Sequence, residues 1–468
     1  VDFTGTDSQL PGPTNITISG TIGLVFTVVG TRLFYEEYWN RGMMNPIEII
    51  APKGSLVNAD WPAAVSMSAL VGMNIMNLIH VCVSKMLVCS EKYYNDQNAS
   101  WMSNYIGFQW GGANQYGQTM ATLLFDALAG GQGAGATFDG VDTGAFTYTP
   151  EVIAGDLETY ESVMPFLYLA RRQAPDSGGP GKFRGGMGLE LIHAVHNTRG
   201  IEIVGLGFGK KSSAGPGLFG GHQPGAAEMI IAQNTDSLQW FEKGRGIYDI
   251  SDVKRLKGEI KDYPPMFAGV MGKSGTIIYS YMDGGAGYAD PLDRNPRSVF
   301  KDVLEELTSM EYAKDVYGVI ITPWVPGVVT DRKTKKALLI DERATEEQRE
   351  KIKHERRLRS EMKKENFTEN NNTNPWNMVM RIHEYLGIDE EKRIRCIKCG
   401  HDFCGADDNY KLHALKAEIP GSEIGKHYVQ ESDFVVYHEF YCPGCTTLLA
   451  SDVLPAGEPP LWDIQVKV

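Results

Sequence analysis

Cys396-Ile397-Lys398-Cys399 and Cys442-Pro443-Gly444-Cys445 are two C-x2-C pairs separated by 42 residues. A C-x2-C turn lets two thiolates converge on one ion, and Zn2+ accepts four soft ligands in a tetrahedron. Cys396, Cys399, Cys442 and Cys445 are therefore the expected metal ligands. Four thiolates leave no open coordination position, so the expected zinc is structural. Its binding free energy, roughly 10–16 kcal/mol in small zinc peptides, would hold together a module too small to rely on its core. Reduced surface cysteines, or a disulfide pair, are the competing readings. His401 and Cys404 are spare ligand types, but the paired spacing argues against either replacing a knuckle cysteine. Asp402, Asp407 and Asp408 read as turn residues.

Outward from this module the composition is ordinary for a globular chain. It has 468 residues, 42% hydrophobic and 22% charged, enough for two or three domains. A net charge of −13 argues against a general nucleic-acid binder, which needs a basic surface to displace counterions. The longest apolar run, around Ile75–Val83, is interrupted by Asn77, His80 and Ser84, and argues against a membrane span. Five of the seven cysteines lie in the zinc-type region, which suits a reducing, cytoplasmic setting. The chain opens at Val1 with Val1–Thr6 reading as a strand entering a turn. That start suggests a missing N-terminal piece, or a processed or split subunit.

Residues 1–60 alternate short β-type runs, Ile16-Thr17-Ile18 and Ile47–Ile50 among them, with turn signals. Residues 62–90 read as a buried helix with Pro62 in its first turn. A helix is expected near Thr119–Leu128, strands over Leu189–Val195 and Ile201–Leu206, and helices over Pro296–Leu307 and Met310–Val316. The stretch Pro175–Gly188 is densely glycine-rich but lacks the Lys-Ser/Thr ending of a P-loop, so tight turns with close backbone approach explain it better than a phosphate cradle. Residues 341–365 read as a solvated charged helix, and Asn366–Asn374 as a linker. Three regions follow: 1–330, a charged helix and Asn-rich linker at 331–375, and the zinc-binding module at 376–468.

Five motifs occur in order. They are Asp2-Phe3-Thr4-Gly5-Thr6 with Gly12-Pro13, Pro46–Ser55, Asp176–Gly186, Gly220-Gly221, and Gly284–Tyr288 with Asp290-Pro291. Together they resemble the C-terminal half of the hydantoinase B family, which includes subunits of N-methylhydantoinase, 5-oxoprolinase and the acetone and acetophenone carboxylases. The tail, with Cys396–Cys404, Asp408–Leu412 and Glu439–Cys445, resembles the small zinc-containing subunit of acetone carboxylase, a part that hydantoinases and oxoprolinases lack. The fold expected is mixed α/β (α+β), with a large hydantoinase B-like region of mixed sheets and a small zinc-ribbon-like β module.

The resemblance implies a biotin-independent, ATP-dependent ketone carboxylase. ATP activates the ketone as an enol phosphate and bicarbonate as carboxyphosphate, and C–C bond formation gives a 3-oxo acid. The implied partners are a hydantoinase A-like ATP-binding subunit, the missing N-terminal hydantoinase B-like half or subunit, a small ketone and bicarbonate. Mn2+ or another divalent metal, and ATP/Mg2+, are expected on other chains of the complex. This chain is then inactive alone. No substitute for the family's metal ligands is found: His193 and His196 lie three apart in a β-type run and point to opposite faces. Lys182 and Arg184 are weighed as anion contacts against simple turn geometry. Phe34-Tyr35, Tyr38-Trp39, Trp101-Met102 and Tyr105 are weighed as an apolar path against ordinary core. Two other functions compete: an ATP-dependent hydantoinase, oxoprolinase or lactamase-type cyclic-amide hydrolase, and a non-catalytic zinc-containing assembly subunit.

Overall fold

The computed structural model describes residues 1–147, 149, 155–323, 338–360, 376–428 and 435–466. The expected linker Asn366–Asn374 and the Tyr105 side chain lie outside the described residues.

Residues 1–60 depart from the β-type reading. α1 (Ile18–Leu33) starts at Thr17, whose hydroxyl accepts the Gly20 N–H, and packs along α2 (Ser68–Leu87). The β-branched Val25, Val28 and Val29 of α1 meet Val71, Ile75, Ile79 and Val83 in a shared apolar face. Burial of a continuous face outweighs the small helix propensity penalty of Val and Ile. Pro62 does not open α2; it follows a cis peptide bond in the preceding turn. α2 is long and apolar enough to cross a membrane, yet 13 of its 20 residues are buried in the protein. Val1–Thr6 forms only an isolated bridge, Asp2 to Ile50.

The central strands are β1 (Tyr105–Ala113), β2 (Thr119–Leu124), β3 (Phe166–Gln173), β4 (Leu189–Val195), β5 (Ile201–Phe208), β6 (Glu228–Gln233), β7 (Glu259–Asp262), β8 (Phe267–Gly272) and β9 (Ile277–Tyr281). They build two sheets, β2-β1-β5-β8 and β3-β4-β9-β6-β7. Every ladder described is antiparallel. Phe108, Trp110, Ile201 and Ile203 from the first sheet meet Phe166, Leu191, Met229 and Ile278 from the second in a common core. The helix expected at Thr119–Leu128 is instead β2 and a 3-10 turn, Phe125–Leu128. The Asn114 side-chain oxygen Oδ1 accepts the Tyr116 and Gln118 N–H groups, closing the hairpin that sets β2 beside β1. The helices expected over Pro296–Leu307 and Met310–Val316 are present as Pro296–Leu304 and Met310–Asp315.

Three glycine-rich segments meet backbone to backbone beside these sheets. Gly186 N–H donates to Gln132 O at 2.8 Å, Gly285 N–H to Gly186 O at 2.9 Å, and Gly179 N–H to Gly285 O at 2.8 Å. A Cβ on Gly185 would stand 1.8 Å from the Gly285 carbonyl oxygen. Glycine is required here because main chain fills the space a side chain would need.

The C-terminal part begins with β10 (Ile321–Pro323) paired to β11 (Leu338–Ile340), then a helix, Glu342–Arg359. A four-stranded sheet follows: β12 (Met378–Arg381), β13 (Leu386–Asp389), β14 (Arg393–Cys396) and β15 (Asp402–Gly405). A three-stranded sheet completes it: β16 (Leu415–Ile419), β17 (Val435–Tyr441) and β18 (Leu448–Pro455). This part shares a core with the rest. Val81, Val88, Leu218, Phe219 and Tyr288 pack with Ile382, Tyr385, Leu386, Phe403 and Leu449.

Candidate metal centre and the junction around it

The two C-x2-C turns are built alike. In the first, Gly400 N–H donates to Cys396 O at 2.9 Å and Cys396 N–H to His401 O at 2.8 Å. In the second, Thr446 N–H donates to Cys442 O at 2.8 Å and Cys442 N–H to Thr447 O at 2.9 Å. Gly400 and Thr446 take the left-handed conformation that such turns need, with φ of 74° and 56°. A Cβ on Gly444 would lie 2.7 Å from the Cys399 sulfur, so only glycine lets the second turn close over the first.

The four sulfurs converge within 4.8 Å of one another. Cys396 and Cys445 are 3.8 Å apart, and Cys399 and Cys442 are 3.6 Å apart. A disulfide needs about 2.0 Å, so neither pair is bonded. Metal–sulfur bonds of about 2.3 Å in a tetrahedron give sulfur–sulfur edges of about 3.8 Å. The cluster therefore fits a tetrahedral thiolate-bound ion in donor type, spacing and burial. Crowding among the thiols divides their acidity: hydrogen bonds from neighbouring sulfurs pull Cys445 and Cys399 below the usual thiol range. The same contacts push Cys396 and Cys442 above it.

The cluster is tied to the preceding part of the chain through charged contacts. Lys398, between the first two cysteines, donates to Asp293 Oδ1 at 2.7 Å. Arg356 from the Glu342–Arg359 helix donates to both oxygens of Asp290 and to the Thr446 carbonyl. His222 Nε2 lies 2.6 Å from Glu439 Oε1, and the other Glu439 oxygen accepts the Tyr441 hydroxyl. Burial opposes ionisation of Glu439, but the hydrogen bond from His222 prevails and holds its carboxyl below the usual range. A cleft of about 370 Å³ opens here, with His222, Lys314, Lys351, Arg356 and Glu439 in its wall.

Other residues singled out in the sequence sit elsewhere. Lys182 donates to Glu384 at 3.0 Å, so its charge is used in joining the regions. Arg184 is buried against Asp142 and Asp302. His193 is buried among Trp110, Phe166 and Tyr168, while His196 is exposed just past β4. Trp39 packs on Phe26, Tyr38 is 93% exposed, and Trp101 stacks on His80. Sequence reasoning missed His222, Arg356 and Glu439. Arg356 lies in a helix whose charge pattern reads as solvated throughout, and its neighbour Glu355 fits that reading. The signal for Glu439 was its place in a β-type run, Val435–Tyr441, where a charge on a buried face demands a partner.

The hydantoinase B/oxoprolinase family profile matches residues 1–291, and the acetone carboxylase gamma subunit profile matches residues 371–468. The alpha subunit of acetone carboxylase from Xanthobacter autotrophicus is 29% identical over 321 residues, 66% of this chain and 41% of that protein. The delta subunit of acetophenone carboxylase from Aromatoleum aromaticum is 26% identical over 327 residues, 68% of this chain and 48% of that protein. The nucleotide-free structure of acetone carboxylase superposes with a TM-score of 0.69 at 26% identity, covering 77% of this chain and 47% of that one. The chain thus spans about half the length, or less, of these relatives. With the family profile covering the glycine-rich core and both central sheets, the chain belongs to the hydantoinase B/oxoprolinase family.

Proposed function

We propose that this chain is a subunit of a biotin-independent, ATP-dependent ketone carboxylase that forms a 3-oxo acid from a ketone and bicarbonate. One observation carries the reading: a hydantoinase B-type region and an acetone carboxylase gamma-type module occur in one chain, over a continuous buried core. The functional regions are 1–330, 331–375 and 376–468. Cys396, Cys399, Cys442 and Cys445 hold a structural Zn2+, whose chemistry is to cross-link the two turns. ATP, Mg2+ and the reactive divalent metal belong to other chains: a hydantoinase A-like ATP-binding subunit and a further hydantoinase B-like part. An unactivated ketone is a poor carbon acid and bicarbonate a poor electrophile, so the reaction needs phosphoryl activation and electrostatic stabilisation of the enolate. It also needs exclusion of water from the activated intermediates. This chain's share is to wall and join that enclosure, and thiolate zinc sites suit a reducing cytoplasm.

The test is to purify the native complex, identify its chains, measure its metals, and assay ATP- and bicarbonate-dependent ketone consumption. Turnover of a ketone to a 3-oxo acid, lost when this chain is left out of reconstitution, supports the reading. Turnover retained without it makes the chain an assembly part. A second reading rests on the family profile itself, which spans hydantoinase and oxoprolinase subunits: ATP-dependent opening of a cyclic amide without bicarbonate would establish that hydrolase instead.

A further inference from the structure

Beyond the four-cysteine cluster, one other group of metal-type donors converges among the described residues. We infer that Cys404, Asp408 and His413 form a second metal site, suited to a borderline-soft divalent cation such as Zn2+, Co2+ or Fe2+. Their donor atoms all lie within 4.8 Å of one another, as a set distinct from the knuckle sulfurs.

The local fold produces this arrangement. β15 delivers Cys404 into the module's core, paired with Ile394. The chain then reverses: Ala406 N–H donates to Lys392 O at 2.8 Å and Asp408 N–H to Gly405 O at 3.1 Å. Asn409 caps the following 3-10 turn, its side chain accepting the Lys411 N–H at 3.1 Å. That single turn returns His413 to Asp408, with Nε2 2.8 Å from Oδ2. A sulfur, an imidazole nitrogen and a carboxylate oxygen thus face one point from three successive pieces of chain.

The chemistry of the set is specific. Thiolate, imidazole and carboxylate are the ligand types of borderline divalent ions, and three of them leave a tetrahedral site one open position. The open side faces solvent, because the Asp408 and His413 side chains are 49% and 35% exposed. The nearby cation does not occupy the site: Arg393 Nε is held by both oxygens of Asp402, at 2.8 and 2.7 Å. A thiol must lose its proton to ligate a metal ion. The competing account makes Cys404 an apolar core residue and Asp408–His413 a surface ion pair.

The test uses the 468-residue chain with its knuckle cysteines metal-loaded. Co2+ is titrated in against a competing chelator and followed by its visible spectrum and by elemental analysis. The expected result is a second equivalent with single-thiolate charge-transfer intensity. His413→Gln and Cys404→Ser should each weaken that equivalent at least tenfold while the four-thiolate spectrum stays unchanged. His413 is at the surface, so its variant keeps the test valid if Cys404→Ser misfolds. Binding that stops at one equivalent, or a second equivalent indifferent to both substitutions, would overturn the site.

Discussion

Arg356 and Asp290 form a buried fork, Nη1 to Oδ2 at 2.8 Å and Nη2 to Oδ1 at 2.9 Å. Asp290 closes the last glycine-rich motif, and Arg356 lies near the end of the helix leading to the zinc-type module. The same guanidinium donates to the Thr446 carbonyl beside Cys445, and the Leu448 N–H donates to Asp290 Oδ2 at 2.8 Å. One carboxylate thus orients a helix, a cysteine turn and the start of β18.

Breaking this pair should be costly because either partner alone is a buried, uncompensated charge. Asp290→Asn or Arg356→Met is expected to cost about 3–5 kcal/mol in denaturant unfolding. Asp290→Asn combined with Arg356→Met should cost less than the two single losses added, because no buried charge remains. Additive single and double effects would contradict the coupling.

The glycine contacts predict a sharp contrast between two similar changes. Gly185→Ala puts a methyl 1.8 Å from a backbone oxygen that cannot move independently. Its expected cost is about 3 kcal/mol or more, with poor soluble yield. At Gly111 nothing lies within 4 Å of an added Cβ, so Gly111→Ala should fall within about 0.5 kcal/mol of the parent. Thermal melts of the two variants decide the matter.

Legibility in the sequence followed the range of the interactions. The cysteine spacing was readable because a C-x2-C turn is local, and the structure brings all four sulfurs together. The glycine-rich motifs revealed close backbone approach but not what approached: Gly185 meets Gly285, a hundred positions away in sequence. α1 was missed because Ile16, Thr17 and Ile18 carry a strand signal at its start, and only its packing on α2 reverses that. His222 and Glu439 are 217 residues apart, and nothing near either residue announces the other.

Metal removal should unfold the C-terminal module before the central sheets. Cys396 and Cys442 sit in the core that Ile382, Tyr385 and Leu449 share with Tyr288, so losing the ion leaves four crowded thiols with no common partner. A chelator, or Cys442→Ser, is expected to expose residues 376–466 to limited proteolysis while β1–β9 stay protected. Zinc-peptide energetics of about 10–16 kcal/mol set the upper scale of the loss. Unchanged protection after verified metal removal would mean that the module folds by its apolar core alone.

The buried histidines set the pH response, and the sign follows from where their protons can bind. Burial first, with nearby Arg32, Arg171 and Lys426 adding to it, pulls His80 and His193 down to about 3 and His427 to about 4. Burial likewise takes His383 to about 3. In the unfolded chain each protonates near pH 6.5. Above that value both states are neutral and stability is complete. As pH falls below about 6.5 the unfolded chain binds protons that the folded chain cannot, so stability drops continuously toward pH 4. Each histidine contributes up to about 1.4 kcal/mol per pH unit in that window. Among the buried carboxylates, Asp290, held below its usual range by Arg356 against the pull of burial, loses its contribution only below about pH 4, whereas Asp283, which burial pushes well above its usual range, binds a proton more readily when folded and opposes the decline. Melting curves from pH 8 to 4.5 should therefore show the decline beginning in the histidine range. His193→Phe should flatten it, because both ring nitrogens of His193 are buried without hydrogen-bond partners inside the Trp110–Phe166–Tyr168 box. A melting temperature constant from pH 7 to 5, or a slope untouched by that substitution, would show that these imidazoles do not carry the acid sensitivity.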